Sequence, residues 1–157
     1  MYILKTTNKK VNFQILEDKN FELKKGVPEE HKKFISYHKN LDQLNFENIY
    51  SVIFSGSIQF IENYDLILDE IFKNKIPYVF ITETIFTNMQ SNIVTLENNM
   101  ENVTFPNIFF SFEKFNDLFL SKNYKLIYKT KRKTNKYTHN MINQKDFFVR
   151  DLIYKLD

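Results

Sequence analysis

The sequence predicts an α/β domain built on a parallel sheet, and three features carry that reading. Residues 49–54 carry apolar side chains on both faces, as a strand buried in a parallel sheet requires. Residues 61–73 place Tyr64, Ile67, Leu68, Ile71 and Phe72 on one stripe, which is the pattern of a helix with one buried face. Residues 77–82 then return to a short apolar run. Strand, helix and strand in succession argue for parallel strands covered by helices.

The remaining elements follow in chain order. Residues 11–16 read as a strand ending at Glu17-Asp18. Residues 21–33 are polar and hold a short helix broken near Gly26-Val27-Pro28, and residues 34–37 form a second short strand. Residues 41–46 suit one or two helical turns. Residues 85–107 are rich in Asn, Thr and Met and read as an irregular connection, with residues 93–96 the only strand hint. A connection of that length is either a binding loop or a polar surface excursion. Ser111 has the chemistry of a helix N-cap, because its hydroxyl can accept from a free amide of the first turn. Phe110 and Phe115 are spaced as a hydrophobic staple, and Phe112, Phe115, Leu118 and Phe119 form the buried stripe of the helix that follows. Residues 124–130 and 147–154 are strands joined without a helical pattern, which predicts an antiparallel pair closing the sheet.

Composition sets the bounds. A chain of 157 residues is one domain, large enough for a real core. Hydrophobic residues make up 43% and aromatics 17%, which excludes a disordered class. With 2 Gly there is little room for a glycine-rich phosphate cradle, and neither Gly26 nor Gly56 lies in a GxG pattern. Cysteine is absent, so disulfides, thiol nucleophiles and cysteine zinc sites are excluded. No apolar run reaches the roughly 18 residues of a membrane span, and residues 1–10 turn polar at once, unlike a signal peptide. These points favour a cytoplasmic protein. The net charge of +3 does not by itself imply nucleic acid.

This order of elements resembles the back three-quarters of a class I S-adenosylmethionine-dependent methyltransferase. More narrowly, it is similar to a bacterial methyltransferase family found with surface-polysaccharide genes. Val52-Ile53-Phe54-Ser55-Gly56-Ser57-Ile58-Gln59-Phe60-Ile61-Glu62 resembles that family's strand and following Ser-x-x-Leu-Gln-Tyr-Leu-Glu. Phe109-Phe110-Ser111-Phe112-Glu113-Lys114-Phe115 resembles its stretch before the last helix, and Phe13-Gln14-Ile15-Leu16-Glu17 its strand ending in an acid. The resemblance implies a Rossmann-like sheet truncated at the N-terminus, S-adenosylmethionine as cofactor, and a small-molecule, glycan or glycan-precursor acceptor. Two departures stand out. The family's glycine-rich strand-to-helix loop would precede the strand at residues 11–16, where this chain offers only ten residues. The family's Asp-Arg-Thr-Pro-like segment is here Thr82-Glu83-Thr84-Ile85.

Candidate site residues follow from the resemblance and from side-chain chemistry. Glu17 ends a strand where a carboxylate can accept from both hydroxyls of a ribose; otherwise it is a solvated acid beside Asp18. His38 follows the next strand, where adenine contacts arise, or is simply solvated. Phe54, Ser55 and Gly56 would lie under the cofactor, where close backbone approach favours small residues. Gln59 could hydrogen-bond acceptor or cofactor, or face solvent at a helix start. Glu83 could serve as general base toward a sugar hydroxyl, or be a surface acid. His31 and His139 lack ligand-spaced partners, so no metal site is expected. Lys125, Lys129, Lys131, Arg132, Lys133 and Lys136, interleaved with Tyr124, Tyr128 and Tyr137, suit a solvated hairpin edge that blocks edge pairing, or a grip on nucleic acid or anionic sugars. Two rivals to the methyltransferase reading stay open. One is a non-catalytic remnant whose exposed sheet edge pairs with a second copy or a partner chain. The other is a nucleic-acid binder acting through the basic hairpin.

Overall fold

The computed structural model describes residues 11–16, 29–100, 103–133 and 146–157. They fall into two compact units, Met1–Phe46 and Glu47–Asp157. In the first unit, β1 (Phe13–Leu16) pairs in parallel with β2 (Ile35–His38), Phe13 opposite Ile35 and Leu16 opposite His38. The short α1 (Glu29–Lys32) precedes β2. Gln14 bonds Asn45 twice, Nε2 donating to its carbonyl and Oε1 accepting from its amide, each at 2.9 Å.

The second unit holds the larger sheet. Its strands are β3 (Ser51–Ser55), β4 (Tyr78–Thr87), β5 (Ile93–Met100), β6 (Val103–Ser111), β7 (Tyr124–Lys129), β8 (Arg132–Lys133) and β9 (Phe147–Leu156). The helices are α2 (Tyr64–Lys73) and α3 (Phe112–Ser121). β3 runs parallel to β4, with Ser51 opposite Tyr78 and Ser55 opposite Thr82. On the other edge of β4 lies antiparallel β9, and β7 pairs antiparallel with β9. The parallel pair and the closing antiparallel pair are therefore both present, as the sequence predicts. β3 is not, however, the strand buried on both faces that its residues predict: Ile53 is exposed and, among the described residues, β3 pairs only with β4.

The expectation of an irregular connection over residues 85–107 is overturned. β4 runs on to Thr87, and β5 and β6 form an antiparallel ribbon with Ile93 opposite Phe109. The end of β6 lies parallel beside β4, Phe86 opposite Phe110. The ribbon buries little of β5: Val94 is 64% and Leu96 75% exposed, so its strand pattern lacks the alternation of a half-buried sheet.

The core lies where α2 and α3 cover the sheet. Leu68 and Ile71 of α2 and Phe115 and Phe119 of α3 are buried, as their stripes predict. Phe119 stacks on Tyr154 with ring centres 4.0 Å apart, and Phe72 meets Phe119 edge-on at 5.2 Å. Each buried Phe contributes about 1.5–3 kcal/mol through removal from water. Tyr124 is buried too, and its hydroxyl donates to the Ile76 carbonyl at 2.7 Å; burial pushes its pKa up to about 12. Ser111 caps α3 as expected, its hydroxyl accepting from the Lys114 amide at 3.5 Å. The Phe110 and Phe115 rings meet at 5.1 Å, which is the predicted staple. Among the described residues, no helix is long and apolar enough to cross a membrane.

Candidate functional site

Ligands of parallel α/β sheets gather at the carboxyl ends of the strands. Here that place is the end of β3. The ladder runs one residue past the strand, because the Gly56 amide donates to the Thr82 carbonyl at 2.9 Å. Gly56 then takes φ +59°, the left-handed region that any side chain resists. The chain closes a tight single-turn helix at Ile58–Phe60, with the Phe60 amide on the Ser57 carbonyl at 2.9 Å. Ile58 is fully buried and anchors this turn.

Gln59 is buried, at 4% exposure, so it does not face solvent. Its Nε2 donates to the Gly56 carbonyl at 3.2 Å. That bond fixes the amide's orientation, since a carbonyl can accept only from the nitrogen. Oε1 is thereby left as a buried acceptor with no partner.

Glu83 reaches the same place from β4. The β4–β9 register breaks between Ile81 and Thr84, and Glu83 occupies the break with φ +53°. Such a bulge bends a strand and re-aims a side chain. A Cβ built on Gly56 would lie 3.7 Å from Glu83 Cβ and 3.8 Å from its Oε2, so the carboxylate rests against Gly56. The Glu83 amide, displaced from the ladder, donates to Asp151 Oδ1 at 2.9 Å. Asp151 Oδ2 in turn accepts from the Thr130 hydroxyl at 3.0 Å, and that hydroxyl oxygen accepts from the Asp151 amide at 2.9 Å. The Glu83 amide of β4 and Thr130, just past β7, thus hold the Asp151 carboxylate of β9 in place.

The structure brings Ser55, Gly56, Gln59 and Glu83 together. The Ser55 side chain is exposed, while Phe54 is buried at 5% exposure and offers only its backbone. His38 belongs to the first unit, where its Nε2 lies 3.0 Å from Ser36 Oγ. Glu17 lies outside the described residues, as do His139 and Lys136. Asp151 and Thr130 were not foreseen. The available signal was an acid set inside the apolar run Phe147-Phe148-Val149-Arg150-Asp151-Leu152.

No family model and no curated protein matches the chain. Among solved structures, it is similar to the crystal structure of a SAM-dependent methyltransferase from Methanosarcina mazei. The TM-score is 0.53 at 12% sequence identity, covering 78% of this chain and 66% of that one. The chain therefore spans just under two thirds of that protein's length. At this identity the likeness is one of fold: a mixed α/β arrangement around a central multistranded sheet, in the manner of the Rossmann-like methyltransferases.

Proposed function

We propose that this chain is an S-adenosylmethionine-dependent methyltransferase that works at the end of β3 on a hydroxyl of a small molecule, glycan or glycan precursor. The observation that carries the reading is the meeting of Gly56 and Glu83, both left-handed, at the carboxyl end of the parallel β3–β4 pair. The fold likeness supports it.

The side chains gathered here suit that cofactor's charge. Gln59 Oε1 is a buried acceptor without a donor, Glu83 carries a carboxylate, and Ser55 exposes a hydroxyl. A set rich in acceptors favours a ligand bearing positive charge and amino donors. When bound, S-adenosylmethionine supplies a methyl group activated by a sulfonium. Gly56 lets the backbone come close, Ser55 and Gln59 orient the ligand, and Glu83 takes the proton of the acceptor hydroxyl onto its carboxylate.

Calorimetric titration with S-adenosylhomocysteine, the product form, tests this without knowledge of the acceptor. The expected result is saturable one-to-one binding that Gln59→Leu weakens. Absence of heat at about millimolar ligand would leave a non-catalytic methyltransferase-like fold.

A further inference from the structure

The basic run near the closing strands does not act as one unit. Lys125 Nζ lies 2.8 Å from Asp157 Oδ1 and is neutralised there. Lys129 and Lys131 turn over aromatic rings instead, with Nζ 5.8 Å from the centre of Phe112 and 4.5 Å from the centre of Phe148. Arg150 meets the same two rings from β9. Its guanidinium carbon is 4.1 Å from the centre of Phe112 and 4.4 Å from that of Phe148.

Arg150 is only 8% exposed, yet its bonding is sparse. Nη1 donates to the Thr130 carbonyl at a long 3.4 Å, and the buried Nε has no partner. Among the described residues, no carboxylate pairs with Arg150, Lys129 or Lys131. Asp151, next in the chain, is engaged by the Glu83 amide and the Thr130 hydroxyl, and Glu113 at the start of α3 is exposed. A desolvated cation without a counter-charge is costly, and ring faces offset only part of that cost. The burial depresses the Arg150 pKa accordingly. Ring contact engages a guanidinium through its face and leaves its in-plane N–H groups for a further acceptor.

We propose that Arg150, Lys129 and Lys131, set around Phe112 and Phe148, form a binding site for a phosphate-bearing small molecule. A doubly charged phosphate matches three cations that have no counter-charge among the described residues. The guanidinium fork can bind two of its oxygens, and the lysines add point charges. A polynucleotide calls for a groove that tracks an extended backbone, whereas these cations are gathered on two rings that share Arg150, and Lys125 is withdrawn by Asp157. The phosphate site does not rest on the methyltransferase reading.

The test is calorimetric titration of the full chain at low salt with inorganic pyrophosphate, glucose 1-phosphate and uridine diphosphate. Saturable binding is expected. The double variant Lys129→Gln/Lys131→Gln should weaken it by about tenfold, and Lys125→Gln by less than about twofold. Arg150→Lys, which keeps the charge but loses the fork, should also weaken it; the lysine variants decide the matter if that protein does not fold. Tightest binding of glucose 1-phosphate upholds a phosphorylated sugar, and of uridine diphosphate a nucleotide-linked one. Absence of saturable binding, equal losses in Lys125→Gln and the double variant, or displacement of pyrophosphate by a generic single-stranded oligonucleotide at far lower concentration would each overturn the site. S-adenosylhomocysteine titrated into the same variants should bind unchanged. Pyrophosphate binding without S-adenosylhomocysteine binding sinks the methyltransferase reading alone, and the reverse sinks the phosphate site alone.

Discussion

From Tyr78 to Ile81 the side chains of β4 alternate between half-buried and buried, whereas from Thr84 to Thr87 four in succession are buried. The first half has β3 on one edge and β9 on the other; in the second half β6 takes the place of β3. Between the halves stands Glu83, left-handed, exposed and out of register. The contrast shows how one strand serves both as scaffold and as site. A break of a single residue lets the strand change neighbours without ending. The same break releases one amide and one carboxylate from the regular sheet. The strain is local, because Asp151 supplies the hydrogen bond that the ladder gives up.

Substitutions can break this contrast or sharpen it. Phe86→Ala strikes the covered half, where the ring is fully buried among Phe110, Phe112 and Phe115. It should cost about 3–5 kcal/mol, read as a lowered midpoint in urea unfolding. Asp151→Ala strikes the join, leaving the Glu83 amide and the Thr130 hydroxyl without their acceptor. It should cost about 1–3 kcal/mol, and amide hydrogen exchange at Glu83 should quicken more than at Val79. A cost with no local change at Glu83 would mean that Asp151 supports β7 and β9 rather than the break. Glu83→Gly should have the smallest effect and the opposite sign. Relief of the left-handed strain, less the added chain entropy, should raise stability by about 0.5 kcal/mol while any proton transfer at this position is lost.

The contrast also marks what the sequence could convey. The first half of β4, α2, α3 with its Ser111 cap, β7 and β9 were legible, because burial on defined faces imposes a period on the residues. β3 was legible as a strand but not as a doubly buried one, since Tyr50 and Ile53 are exposed and, among the described residues, it pairs only with β4. The second half of β4 was missed because Thr82-Glu83-Thr84 reads as the polar end of a strand, while the residues that resume it have no alternation. The β5–β6 ribbon was missed for a different reason: on β5 the apolar Val94 and Leu96 are exposed, so hydrophobicity there does not mark the face that packs inward. Of the site, Ser55, Gly56, Gln59 and Glu83 were legible as residues adjoining strand ends. Asp151 and Thr130 were not, since their link to Glu83 spans a separation that no local spacing records. Arg150 was hidden in the same way, beside Asp151 in a run whose remaining members are apolar.

Ser111 is at once the last residue of β6 and the cap of α3, so strand and helix are joined with nothing between them. An α-helix turns about 100° per residue. One codon gained or lost at this join would therefore swing Phe115 and Phe119 around the helix axis and away from Tyr154. The helix would keep its own hydrogen bonds and lose its seat. Length variation at this point is thus forbidden to the gene even though every residue type nearby could be exchanged for a similar one, and a tag, a fused domain or an evolutionary insertion has to enter the chain elsewhere.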